Sequence, residues 1–210
     1  RQETVILRLL RGRAPAERAD EVAEVLGGAY VRAARRFPGL TSYAAGVRVE
    51  GALVHFVLAT TWDSVDDVAR QTAGRLDRPV VALPASAQTD AIDHFELVGE
   101  AVPLIIGPSE GVVRVARMVV RPGREEEFYA TVRRGLEDPT HRGELLAYHL
   151  GRRIGQTHDV AAVSVWRSGD ALGRLVARET GAPLWASELE ALLERFEVEH
   201  FDAVGPSGPG

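Results

Sequence analysis

The sequence predicts an α+β protein in which one βαββαβ unit is written twice along 210 residues. Three observations carry this reading. "DHFELVG" at 93–99 and "EHFDAVG" at 199–205 agree in residue type at six of seven places. Further segments match in the same order at a nearly constant spacing, the mark of an internal repeat. "VILRLL" (5–10) meets "GVVRVA" (111–116), "YAAGVR" (43–48) meets "YHLGRR" (148–153), and "TTWDSVDDV" (60–68) meets "SVWRSGDAL" (164–172). Finally, "ALVHFVLATTW" and "VAAVSVW" are nearly continuous in apolar character. A strand reads that way when both faces of its sheet are covered.

The elements follow in order. A strand is expected over about 4–12 and a helix over 16–36, where Val22, Val25, Leu26, Ala29, Ala33 and Phe37 recur at helical spacing. "FPGL" ends that helix, because Pro and Gly stop one. Strands over 41–49 and 52–61 are joined by an "EG" turn, and Ser64 caps a second helix with Asp67 near its third position. A Pro/Ala/Ser-rich loop leads to a strand over 93–100. The second copy gives a strand at 111–120, a helix at 124–137, strands at 146–154 and 159–166, a helix from Ser168 and a strand at 197–204. It adds a helix announced by "SELE", with Ser187 and Glu190 as a capping box and Leu189, Leu192, Leu193 and Phe196 as its buried stripe. Each copy is thus a ferredoxin-like split βαβ unit. The expected division is a first copy at 1–102, a linker at 103–110, a second copy at 111–206 and a flexible tail at 207–210. Helices can cover one face of each sheet, and the sheet of the other copy is the natural cover for the second face. The chain is then an intramolecular pseudo-dimer, with a further homodimer left open.

Composition excludes several kinds of function. Net charge is −5 with both signs mixed, so nothing in it points to nucleic acid or an anionic membrane. No apolar run approaches the roughly 20 residues of a spanning helix, and "VILRLL" is too short for a signal core, so the expected location is the cytoplasm. The chain has no Cys, Lys or Asn. Thiolate chemistry, Cys-ligated clusters, Schiff bases and phosphate-loop lysines are therefore ruled out. The Arg-only basicity is read as genome bias in preference to heat adaptation, which usually enriches Lys.

The βαββαβ order, with Trp at the end of the third strand in Trp62-Asp63-Ser64 and Trp166-Arg167-Ser168, carries a resemblance. Each half resembles the antibiotic-biosynthesis monooxygenase domains of the dimeric α/β-barrel superfamily, so the two halves are expected to form one intramolecular dimeric α/β-barrel. The resemblance implies a pocket between sheet and helices in each half, holding a small aromatic, quinol-like compound or haem. Some relatives oxidise such compounds with molecular oxygen and no separate metal or flavin. It therefore implies a monooxygenase or related oxygen-using enzyme that needs no cofactor and no metal. The haem-degrading relatives use a first-strand Asn, the strand-three Trp and a His on the second helix. Here the matching positions are Arg8 and Arg114 on the strand, and Gln71 and Leu175 on the helix, so that mechanism is not expected. Two alternatives stay open. One is a non-catalytic ligand-binding or structural barrel. The other is a haem protein resembling the chlorite-dismutase group, for which His149 is the candidate axial ligand.

Within that frame the candidate ligand-binding residues are Trp62, Tyr43 and Arg8 in the first copy, and Trp166, Tyr148 and Arg114 in the second. Each Trp either stacks on an aromatic ligand or caps the core, the commoner role. Each Tyr either points its phenol into a pocket or lies on a solvated strand face. A strand-centre Arg must pair or reach water, and could hold an anionic or enolate oxygen. The candidate catalytic residues are His94 with Glu96 and His200 with Asp202, which share a strand face at i and i+2. A carboxylate there would orient the imidazole and raise its pKa. The alternative is a polar edge strand. The long "RLDRPVVALPASAQTD" loop of the first copy, against a helix carrying Trp185 in the second, predicts the larger pocket in copy one, lined by Trp62, Tyr43 and Arg8.

Overall fold

The computed structural model describes residues 4–29, 36–80, 82–99, 111–136, 143–170, 172 and 184–205. The linker at 103–110, the tail at 207–210, the helix expected beyond 172 and the side chains of Trp185 and Ser187 lie outside the described residues. In the first half, β1 (Ile6–Pro15), α1 (Ala19–Glu24), β2 (Leu40–Glu50), β3 (Leu53–Trp62), α2 (Val65–Gln71) and β4 (Gln88–Leu97) follow one another. In the second come β5 (Val112–Val120), α3 (Glu125–Leu136), β6 (Leu145–Arg153), β7 (Asp159–Trp166), α4 (Leu184–Leu192) and β8 (Leu193–Ala203). Helical backbone also occurs at 169–170 and 172.

All strand pairs are antiparallel, and the eight strands close in the order β1-β3-β2-β8-β5-β7-β6-β4. Each half is a four-stranded ferredoxin-like sheet of order 4-1-3-2. The two sheets close into the intramolecular α/β-barrel expected from the sequence. Their edges also pair, Gly46 and Val47 with Ala203 and Asp202, and 95–97 with 151–153, so the sheets form one barrel. β4 and β8 are therefore not free edges along their whole length. Closure removes the unpaired backbone groups that an open edge would expose.

The barrel lumen is apolar and shared. Leu7, Leu9, Val57, Ala59 and Phe95 from the first half pack with Val113, Val115, Val163, Val165 and Phe201 from the second. A reciprocal fit locks the halves. A Cβ at Gly46 would stand 2.6 Å from the Cβ of Phe201, and one at Gly151 would stand 2.6 Å from the Cβ of Phe95. Each half thus supplies a glycine gap and a phenylalanine knob, as an isologous interface requires. This is the physical content of the repeated Y-x-x-G and H-F matches.

The outer sheet faces carry the helices. Val22 and Leu26 cover Leu10, Phe56 and Leu58, while Phe128 and Leu192 cover Met118, Leu150 and Val160. Ser64 caps α2 as expected, accepting from the Asp67 N–H at 3.2 Å. Gly51 turns β2 into β3 with φ +60°, a conformation that glycine adopts without strain. Two elements differ from the sequence expectation. Over its described part, residues 16–29, the helix expected over 16–36 is a 3-10 turn, a short α-helix and a π-helical turn at Val25–Ala29. Gly27 passes so close to the last described residues that a Cβ would stand 2.4 Å from the Gly205 carbonyl oxygen. Ser187 lies inside α4, which begins at Leu184, and Leu193 and Phe196 belong to β8.

Candidate functional site

Strand register brings the candidates into one cross-strand row per half. In the first, His94 on β4 lies opposite Arg8 on β1, Arg8 opposite Thr60 on β3, and Thr60 opposite Tyr43 on β2. In the second, His200, Arg114, Ser164 and Tyr148 repeat the row. All point to the helix side of the sheet, since their strand neighbours Leu7, Ala44, Ala59 and Phe95 face the lumen. The indole N–H of Trp62 donates to Thr60 Oγ1 at 2.9 Å, and that of Trp166 donates to Ser164 Oγ at 2.9 Å. Thr60 and Ser164 were not singled out from sequence. Their signal is the T-x-W and S-x-W spacing, which places hydroxyl and indole on one strand face.

Trp62, Tyr43 and Arg8 are 0%, 2% and 1% exposed. Trp62 stacks on Phe37 with ring centroids 6.3 Å apart. The Arg8 guanidinium donates to the carbonyl oxygens of Arg78 and Leu76, so the loop after α2 folds down over it. Beside this covered row lies an open cavity of about 550 Å³, walled by Ile6, Val65, Leu76, Ile92, His94 and Glu96, with Arg153 and Ile154 from the second half. The lining differs from the sequence expectation. His94 and Glu96 face the cavity, while Trp62, Tyr43 and Arg8 stand behind its wall. The facing region of the second half lies largely outside the described residues.

The two His/carboxylate pairs do not form as expected. Glu96 accepts from Arg152 at 3.0 Å, and Asp202 is exposed. Burial and then the Arg8 charge pull the His94 pKa down to about 4, with Asp93 opposing. Burial, Arg114 and Arg48 lower that of His200. Both imidazoles are therefore neutral near pH 7, not charged by a neighbouring carboxylate as the sequence predicts. Nε2 of His94 is buried and has no hydrogen-bond partner among the described residues. Burial also pushes the Tyr148 phenol up, so it is a donor and not a phenolate. Among the described residues no group of three or more His, Asp or Glu side chains is placed to hold a metal.

A second polar cluster escaped sequence reasoning. In the lumen, His149 Nε2 lies 3.1 Å from Ser42 Oγ, which lies 2.6 Å from Thr61 Oγ1, which lies 2.8 Å from Thr41 Oγ1. Burial lowers the His149 pKa to about 4. The haem alternative needs this imidazole in a helix-side pocket, and the structure places it inside the barrel instead.

No protein-family model matches the sequence, and neither does any curated protein. Solved structures share the fold. A "putative monooxygenase" from Fusobacterium nucleatum superposes with TM-score 0.70 at 9% identity, covering 100% of this chain and 97% of its own. An anthrone oxidase-like protein gives TM-score 0.64 at 14% identity over 96% and 92% of the two chains. A ferredoxin-fold protein related to antibiotic biosynthesis monooxygenases, from Listeria monocytogenes, gives 0.55 at 10% identity over 96% and 95%. At these identities the likeness is one of fold, and it runs through both halves. No helix among the described residues is long and apolar enough to cross a membrane.

Proposed function

We propose that the chain is a cofactor-independent oxygenase whose first-half cavity takes a small aromatic, quinol-like compound. The observation that carries the reading is the neutral His94 on the wall of that cavity, with an unpartnered ring nitrogen beside the buried charge of Arg8. A phenol or enol hydroxyl of the ligand donates to Nε2 and then transfers its proton there. The Arg8 field, which opposes an isolated imidazolium, favours the anion formed. The electron-rich anion reduces molecular oxygen directly. For an anthrone-type CH2 group, the ring carbon gains one oxygen atom as a carbonyl, the second oxygen leaves as water, and no external reductant is needed. Monooxygenase-type proteins of the same tandem fold support this reading.

Oxygen uptake and product mass with a panel of anthrones and hydroquinones test it. His94→Gln is expected to lower kcat/KM by at least about 100-fold, the usual scale for a general base. Uptake unchanged in that variant would defeat the assignment. A second reading, a ligand-binding barrel without turnover, is favoured by one observation. Nη2 of Arg8 and the indole N–H of Trp62 already donate to protein acceptors. Binding of the panel without oxygen uptake would select it.

A further inference from the structure

The mouth of the first-half cavity is finished by the second half. The Ile154 N–H donates to the His94 carbonyl oxygen at 3.1 Å. Arg152 donates to Glu96 at 3.0 Å and Arg153 to Asp93 at 2.6 Å. Three consecutive residues at the end of β6 therefore grip the stretch 93–96. The two arginines offset the two acids, so the mouth offers a ligand little net charge. What it does offer is apolar. Ile154 is 44% exposed and Val65 36%, and both line the cavity. Exposed apolar side chains clustered at an opening mark a contact site more often than scattered ones do.

Part of the arrangement repeats in the other half. Val49 follows Arg48 as Ile154 follows Arg153, and Val49 is 58% exposed. Arg48 lies 3.7 Å from Glu199, next to His200, just as Arg153 meets Asp93, next to His94. An exposed aliphatic residue kept at the same place in both halves, beside the same ion pair and the same histidine, is not accounted for by core packing.

We infer that Ile154 is a specificity-determining residue, an apolar lip supplied by the second half that selects uncharged, flat ring compounds by the width it leaves over His94. The inference rests on the cavity beside His94 being the ligand site. Because the lip is hydrogen-bonded to His94's own backbone, its distance from the imidazole is set by one contact and not by the motion of one half against the other. Ring size is then read against a fixed edge.

The test is binding of two neutral probes, 1-naphthol and anthrone, to the full chain by calorimetry. The variants are Ile154→Trp, Ile154→Ala and Leu76→Trp, the last in the first half's own wall. Ile154→Trp should weaken both probes by about 10-fold or more, the scale of a filled or emptied apolar contact. Ile154→Ala should shift the affinity ratio toward the larger anthrone by about 10-fold. Thermal melts of both should stay near wild type, because the side chain is solvent-facing. If Leu76→Trp abolishes binding while both Ile154 variants bind as wild type, the cavity stands and the lip is not selective, which overturns the inference. If wild type binds neither probe, or all three variants bind unchanged, the cavity is not the ligand site and the inference falls with it.

Discussion

At the scale of single residues, His149 has the sharpest consequence. It stands in the lumen, 5% exposed, tied to Ser42 through Nε2, with Nδ1 unpartnered among the described residues. Its folded pKa is about 4 against an ordinary 6.5. The unfolded chain therefore binds a proton between those values and the folded chain does not. The neutral side chain's contribution is intact above pH 6.5 and is lost as pH falls toward about 4. At 1.36 kcal/mol per pKa unit the effect is roughly 3 kcal/mol across that window. Urea midpoints measured from about pH 7 down to pH 4.5 should fall, and His149→Gln should flatten the slope. It should not abolish it, since His94 and His200 shift in the same direction. An unchanged slope in the variant would show that His149 is not the titrating group. In the sequence, Ser42, Thr61 and His149 read as scattered polar residues on apolar strands. Only barrel closure brings them to one place, because they come from three strands and two halves.

At the scale of elements, the repeat was legible because the same contacts are written twice. Gly151 is the clearest case. An added methyl would meet the Cβ of Phe95 at 2.6 Å, on the strand that pairs with β6. Gly151→Ala should cost about 1–3 kcal/mol by overpacking. Phe95→Gly removes the obstructing Cβ, so the double variant should lose less than the sum of the two single losses when compared by denaturant unfolding. Strict additivity would mean that the two positions do not touch. The strands, the Ser64 cap and the hairpin glycine could be read from residue type alone. The start of β8 could not. Leu189, Leu192, Leu193 and Phe196 fit a helical stripe, but "LERFEVEHFDA" also alternates as a strand. Pairing with β5 along its length decides for the strand and leaves Phe196 51% exposed. The seams that close the barrel are two or three residue pairs long, too short to leave a pattern in the sequence.

At the scale of the whole molecule, the two halves are unequal partners in one interface. Each carries the glycine, the phenylalanine and an Arg–acid contact: Arg48 with Glu199, and Arg153 with Asp93. A chain ending at residue 102 keeps Gly46, Arg48, Asp93 and Phe95. Alone it would expose Leu7, Leu9, Val57, Ala59 and Phe95, a patch that water does not tolerate well. Two copies can bury it by placing Gly46 of each against Phe95 of the other, and Arg48 against Asp93. That homodimer would be looser than the native barrel, because Ala44 occupies in the first half the place that His149 fills in the second. Ser42 and Thr61 would then keep each other as partners but lose the imidazole. Light scattering on the truncated chain should therefore give a dimer that dissociates on dilution and melts below the full-length protein. A folded monomer with a cooperative melt would show that one sheet is stable without a second to cover it, and that closure of the barrel is not what holds this fold.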